Sequence, residues 1–285
     1  MNALTARLKG LLFALIYTIT FVSGQLFADL LLMIPYAIAQ YSSLDDVQNF
    51  SNKLTELFKT DFLPRYSWLV SILSAAISIL LLLIITKFTS RSFKARTAIR
   101  KCPVSPFLYI VTLSIGLQIL ITLAIDSLGS ISVFEELIKQ QNDYSQAITG
   151  NTNKLLELLA VAVAAPLCEE LFFRGAVLSS LRENSFGKVS SVLIQALMFA
   201  IVHGVPIAML YAFIMGTVMG WLRIKFDSIW PGICLHSVFN CVAYWSYMGG
   251  DELHPISYVL LWLSSAAISI SSFILLSRKK TENER

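Results

Sequence analysis

The sequence predicts an all-α, polytopic membrane protein of about eight transmembrane helices, with both termini in the cytoplasm. Three observations carry that reading: a composition too apolar for a soluble domain, eight separate apolar runs, and a one-sided distribution of basic residues. Of the 285 residues, 56% are apolar and 14% charged, whereas soluble domains average about 25% charged. Too little charge is present to cover a soluble surface of this size. The same numbers exclude a disordered chain, and 13 Gly and 4 Cys exclude collagen-like and disulfide-scaffold classes.

A membrane helix needs roughly 20 mostly apolar residues to cross about 30 Å of hydrocarbon. Apolar runs fall at about 11–39, 67–86, 106–125, 154–173, 189–204, 206–222, 228–248 and 256–277. The first follows Arg7 and Lys9 and resembles a signal peptide at its start. It is too long for a signal h-region, which spans about 7–15 residues, so it reads as an uncleaved anchor. Asp29 and Pro35 within it suggest a tilt or kink. The second and third flank a basic loop at 87–101. The fourth holds most of the intramembrane charge. The fifth and sixth are separated by Gly204-Val205-Pro206, read as a tight turn because a proline inside a helix loses a backbone bond. The seventh carries His236 and Asn240, and the eighth leads into a basic tail.

The positive-inside rule tests this count. With eight crossings from a cytoplasmic N-terminus, the inner side receives 17 of the 22 Lys and Arg: Arg7, Lys9, Lys87, Arg91, Lys94, Arg96, Arg100, Lys101, Arg174, Arg182, Lys188, Arg223, Lys225, Arg278, Lys279, Lys280 and Arg285. The outer side receives Lys53, Lys59, Arg65, Lys139 and Lys154. Acids lean outward, with Asp45, Asp46, Glu56, Asp61, Glu135, Glu136, Asp143, Asp251 and Glu252 in outer segments. One span more or fewer destroys the alternation. The net charge of +4 therefore reports topology and not a nucleic-acid partner, and the 87–101 loop is expected to touch anionic lipid. Outer loops at about 40–66 and 127–153 are long enough for short amphipathic helices. Cys102, Cys168, Cys234 and Cys241 lie in the inner loop or the bilayer, so structural disulfides are not expected. The chain divides into an N-terminal part (1–153), a core (154–248) and a last span with its tail (249–285). It is expected in the cytoplasmic membrane as a multi-pass protein.

Charge within a span is costly and marks function by default. Asp126 and Glu157 lie near outer ends, where solvation is easy. Asp29 lies deeper but alone. Glu169, Glu170 and Arg174 fall within six residues of one span. Glu170 and Arg174, at i and i+4, suit an ion pair. Glu169 points about 100° away, free for other work. Of three histidines, His254 sits in an outer loop, while His203 and His236 fall in spans; Asn240, four residues after His236, shares its face. At about 1.5 Å per residue, Glu169, His203 and His236 come to similar depths, nearer the cytosolic side.

A carboxylate and an imidazole can take a proton from water and return it to a leaving amine. A second imidazole and a carboxamide can donate hydrogen bonds to an oxyanion. Two His and a Glu are also a common hydrolytic zinc set. Serine or cysteine catalysis is poorer, since Cys168 adjoins Glu169 without an arguable paired His and no Gly-x-Ser-x-Gly occurs; the zinc motif HExxH is absent too. On chemistry alone, hydrolysis, an ion- or proton-coupled transporter and structural polar contacts between helices all stay open. The absence of half-to-half symmetry counts against a transporter. Gly216 and Gly220 have the small-xxx-small spacing of close helix packing.

Three short motifs occur in order. Glu169-Glu170-Leu-Phe-Phe-Arg174-Gly175 fits EExxxR with an FRG ending, Phe199-Ala-Ile-Val-His203 fits FxxxH, and His236-Ser-Val-Phe-Asn240 fits HxxxN. The segment from Gly216 to Arg223, followed by Ser228-Ile-Trp-Pro-Gly232, resembles the usual lead into the last motif. Together, over about 154–248, they resemble the CAAX-protease and bacteriocin-processing family of intramembrane proteases (CPBP or Abi proteins). The resemblance implies an all-helical membrane fold with an active site in a cavity open toward the cytosol. It implies an endopeptidase for membrane-associated or hydrophobic peptides, such as prenylated or bacteriocin-type substrates. Glu169 would activate water with His203, His236 and Asn240 would bind the oxyanion, and Glu170 and Arg174 would be the supporting pair. The expectation is a metal-free enzyme with no cofactor. A zinc-dependent version of the same protease, or a non-catalytic scaffold or transporter, is the alternative. The expected partners are the bilayer and a peptide or lipidated protein.

Overall fold

The computed structural model describes residues 2–40, 50–89, 92–129, 131–149, 153–249 and 255–279. Among them every regular element is helical. The tally residues Arg91, Lys280, Arg285, Asp45, Asp46, Asp251 and Glu252, together with His254, lie outside the described residues.

Each apolar run of the sequence lies on a helix. In order, these are α1 (Ala3–Gln40), the short α2 (Phe50–Leu57), α3 (Leu63–Lys87), the short α4 (Phe93–Arg96), α5 (Phe107–Gly129) and α6 (Glu135–Thr149). A composite helix then runs through α7 (Lys154–Leu159), α8 (Ala165–Glu170) and α9 (Leu178–Glu183). Two wider π-type segments, Ala160–Ala164 and Leu171–Val177, join its parts. There follow α10 (Lys188–Ile201), α11 (Pro206–Phe226), α12 (Trp230–Gly249) and α13 (Pro255–Arg278).

Five helices are long and apolar enough on their own to cross a membrane: Ala3–Gln40, Asn52–Lys87, Phe107–Gly129, Pro206–Phe226 and Val259–Arg278. The chain is a multi-pass membrane protein. The other three expected spans fall short for physical reasons. The composite helix carries Glu157, Glu169, Glu170 and Arg174. Helix α10 has 14 residues, about 21 Å at the α-helical rise. Helix α12 is made more polar by His236 and Asn240.

Packing follows the logic of a protein in lipid, where small and polar residues lie inside and large aliphatic ones face out. On α1, Ala6, Gly10, Ala14, Tyr17, Phe21, Gly24 and Ala28 are buried, while Leu8, Leu12, Leu15, Ile19, Leu26, Leu30 and Ile34 are exposed. A Cβ on Gly24 would collide with Ser78 of α3, so α1 and α3 cross in close contact there. Ser114 Oγ of α5 donates to the Leu235 carbonyl of α12 at 2.6 Å. Gly216 of α11 lies against Ala196 of α10, and Gly220 against Val192 and Gln195. The small-xxx-small spacing thus closes the α10–α11 hairpin. Its turn uses Gly204 in the left-handed region (φ +71°), a conformation glycine adopts without steric cost. Pro206 opens α11 at its first turn, where its missing N–H costs nothing.

The composite helix is the central element. It packs against α1, α3, α10, α11 and α12. The basic segment after α3 is built into the body and does not merely drape over lipid: Ile229 N–H donates to the Ala98 carbonyl at 3.2 Å, and Ser228 Oγ to the Arg100 carbonyl at 2.8 Å. Helix α6 leans on α3, α5 and α11.

Candidate functional site in the composite helix

The site residues lie where the composite helix departs from α geometry. Pro166 lacks an N–H, so neither the fourth nor the fifth carbonyl before it can receive a backbone bond from this position. The helix widens to a π turn at Ala160–Ala164. The Val161 carbonyl is bonded instead by Asn240 Nδ2 of α12, at 2.9 Å. One side-chain donor of the expected oxyanion residue is therefore engaged with the backbone. The second π segment, Leu171–Val177, surrounds Arg174 and Gly175. A Cβ on Gly175 would lie 2.8 Å from the Thr97 Cα, so this glycine lets the basic segment close onto the helix. Such π turns cluster at functional sites.

Glu170 and Arg174 form the ion pair their spacing suggested, with Oε1 to Nη1 at 2.8 Å and both side chains fully buried. Arg174 is therefore not a loop cation, as the charge tally had it; it lies inside the helix. Removing one partner of such a buried pair costs about 3–5 kcal/mol, because the other charge is left uncompensated. The Arg174 guanidinium also lies over the Phe199 ring at 4.1 Å. That ring touches the His203 ring at 4.6 Å and the His236 ring at 5.9 Å between centroids. Phe199 is thus the apolar hub of the site, which gives the first residue of FxxxH a physical role.

His236 stands between two carboxylates. Its Nδ1 is 3.2 Å from Glu170 Oε1, and its Nε2 is 3.7 Å from Glu169 Oε2. Glu170 thus serves two cations or donors, not Arg174 alone, and Glu169 points toward His236. Gly232 permits this approach, since a Cβ there would lie 2.5 Å from Glu170 Oε2. His203 sits just past the end of α10, in the turn. Its Nδ1 is 2.8 Å from the Phe199 carbonyl. A carbonyl only accepts, so Nδ1 carries the proton and Nε2 keeps its lone pair for another partner. Glu169, His236 and Arg174 all lie close enough to act electrostatically on His203. Glu169 keeps Oε2 without a hydrogen bond among the described residues and is 16% exposed, the one carboxylate of the pair with access to solvent space.

The sequence reading did not find Gln195. It is buried, and its Nε2 donates to the Val192 and Gly216 carbonyls at 3.0 and 2.8 Å, locking α10 to α11 one turn below Phe199. Its position on a helix already rich in apolar residues was the only available signal. Glu157 corrects an expectation. It is not solvated at a helix end but fully buried, where it accepts from the Tyr244 hydroxyl at 2.9 Å and pairs with Lys154 at 3.8 Å. Asp126 is exposed, and Asp29 is half-buried.

The zinc alternative needs three converged ligands. No group of three or more His, Cys, Asp or Glu among the described residues could hold a metal ion. His236 Nδ1 and His203 Nδ1 are both engaged by other partners, which leaves Nε2 as the available ring nitrogen of each.

Residues 151–242 match a family profile described as type II CAAX prenyl endopeptidase Rce1-like. This segment contains the composite helix, α10, α11 and most of α12, and so all six candidate site residues. The comparison with curated proteins and the comparison with solved structures gave no match. The matched segment is therefore similar to a family of CAAX-type endopeptidases.

Proposed function

We propose that the chain is an intramembrane endopeptidase that uses Glu169 as its catalytic base and requires no metal. The observation that carries this reading is the arrangement around His236. One nitrogen rests on the buried Glu170–Arg174 pair, and the other faces the slightly exposed Glu169 across 3.7 Å. That gap is too long for a direct hydrogen bond, and it opens on the more exposed of the two carboxylates, whose Oε2 has no hydrogen-bond partner among the described residues.

In this mechanism, a water molecule gives its proton to Glu169 as its oxygen attacks the substrate carbonyl. His203 Nε2 accepts a hydrogen bond from the same water and fixes its direction. The carbonyl π electrons move to oxygen, and the oxyanion is met by His236 and by the second N–H of Asn240. With Nδ1–H given to Glu170, His236 donates to the oxyanion only when Nε2 also holds a proton. The C–N bond then breaks, and the proton on Glu169 passes to the leaving amine. Glu170 and Arg174 hold His236 in place and do not touch substrate. The family match supports a peptide with a prenylated C-terminal CAAX-type sequence as the substrate class, and eight crossings with both ends in the cytosol remain part of the proposal.

Peptide profiling of membranes from cells expressing wild type or Glu169→Gln tests it. The expected outcome is a set of released peptides present only with wild type. Identical profiles would mean a non-catalytic scaffold.

A further inference from the structure

Away from the Glu169 site, α9 ends, α10 begins and α11 ends around a second feature: a cavity of about 260 Å³. Arg100, Arg182, Lys188 and Arg223 line it against only Glu183 and Asp227. The carboxylates are already in use. Asp227 pairs with both Arg223, at 2.9 Å, and Arg100. Glu183 pairs with Arg96 at 2.7 Å. Arg182 Nη1 donates only to the Phe186 carbonyl, at 2.7 Å, and Lys188 is exposed with no ion pair among the described residues. With Arg96 included, five cations face two anions. Arg223 is 7% exposed, and its Nε has no hydrogen-bond partner among the described residues. A buried cation with an unmet donor beside two uncompensated ones calls for an anion.

We propose that this cavity binds a phosphate group, carried by an anionic phospholipid of the leaflet facing the basic loops. At about 30 Å³ per water in the liquid, the cavity has room for a phosphate diester and part of its glycerol. Leu178 and Ile224 supply an apolar wall. Directly beside Lys188, α10 exposes Val189, Leu193, Leu197 and Ile201, an i, i+4 stripe along which an acyl chain can lie. Basic pockets between membrane helices on the cytoplasmic side take such headgroups. A bound lipid would tie α9, α10 and α11 together below Arg174, Phe199 and Gly216. The site uses none of the proposed catalytic residues, so it stands whether or not the chain is a protease.

The test is the thermal unfolding of the purified full chain in dodecyl maltoside micelles. Micelles doped with phosphatidylglycerol or with phosphatidylcholine, and 10 mM inorganic phosphate without lipid, are compared. Phosphatidylglycerol is expected to raise Tm by several degrees over phosphatidylcholine. Arg182→Gln/Lys188→Gln is expected to lose at least half of that shift, whereas Lys87→Gln/Lys94→Gln, which removes equal charge outside the cavity, keeps it. Lys188→Glu, at an exposed position, replaces the double variant if that one unfolds. A shift with inorganic phosphate alone, lost in the cavity variant, supports the phosphate site with a free-anion source. Equal shifts in cavity and control variants, or none with either probe, overturn the proposal.

Discussion

Pro166 and Asn240 meet through one carbonyl, and that meeting separates two roles for Asn240. If it serves only to bond Val161, its loss leaves a part-buried carbonyl unsatisfied, at about 1–3 kcal/mol. Asn240→Ala is therefore expected to lower stability by that amount, measured by chemical or thermal unfolding in detergent. Pro166→Ala restores a backbone N–H within reach of the same carbonyl, so adding it should recover at least half of the lost stability. Activity should stay low in the double variant, because the oxyanion donor is still missing. Full recovery of activity would reduce Asn240 to a structural bond. At this scale the sequence revealed whatever depends on one helix. The Glu170–Arg174 pair followed from its i, i+4 spacing. The second partner of Glu170, the burial of Glu157 under Tyr244 and the bond from Asn240 to Val161 each depend on a neighbouring helix, and spacing within one element carries no information about them.

At the scale of elements, the composite helix differs from the plain span that its hydropathy suggested. Its π segment at Ala160–Ala164 precedes a proline, and the one at Leu171–Val177 holds Gly175, against which Thr97 packs. Only the proline could have been read as a disturbance from sequence. Glycines set how close its neighbours come. Gly232→Ala places a methyl 2.5 Å from Glu170 Oε2, and Glu170 cannot retreat without loosening either Arg174 or His236. The expected result is a loss of about 1–3 kcal/mol, as for other overpacked sites, and a fall in kcat of at least about tenfold, the effect of an ~1.4 kcal/mol rise in the barrier. Unchanged kcat in a folded Gly232→Ala protein would show that the carboxylate's position does not matter to turnover. The α10–α11 hairpin, by contrast, was legible in outline, because Gly204 and Pro206 act through local geometry and Gly216 and Gly220 show the small-xxx-small spacing of close helix packing.

For the whole molecule, composition and sidedness of charge pointed to an all-helical multi-pass protein, and five helices are sufficient by length and apolarity alone. The composite helix, α10 and α12 carry the candidate site residues or lead into them, and they fall short because Glu169, Glu170, Arg174, His236 and Asn240 make two of them more polar and α10 has only 14 residues. Eight crossings put α6 and the C-terminal end of α13 on opposite sides. A cysteine introduced at Glu136 should be labelled by an impermeant maleimide in intact cells, and one at Lys279 only after lysis. The central claim concerns Glu169. Its most direct test is hydrolysis of a fluorogenic farnesylated CAAX peptide by the purified chain in liposomes, comparing wild type with Glu169→Gln, each with and without a chelator. General acid–base catalysis contributes about 10²–10⁴-fold, so Glu169→Gln should be at least about 100-fold slower and wild type unaffected by chelator. Wild-type rates in Glu169→Gln, or activity abolished by chelator and restored by zinc, would contradict the account.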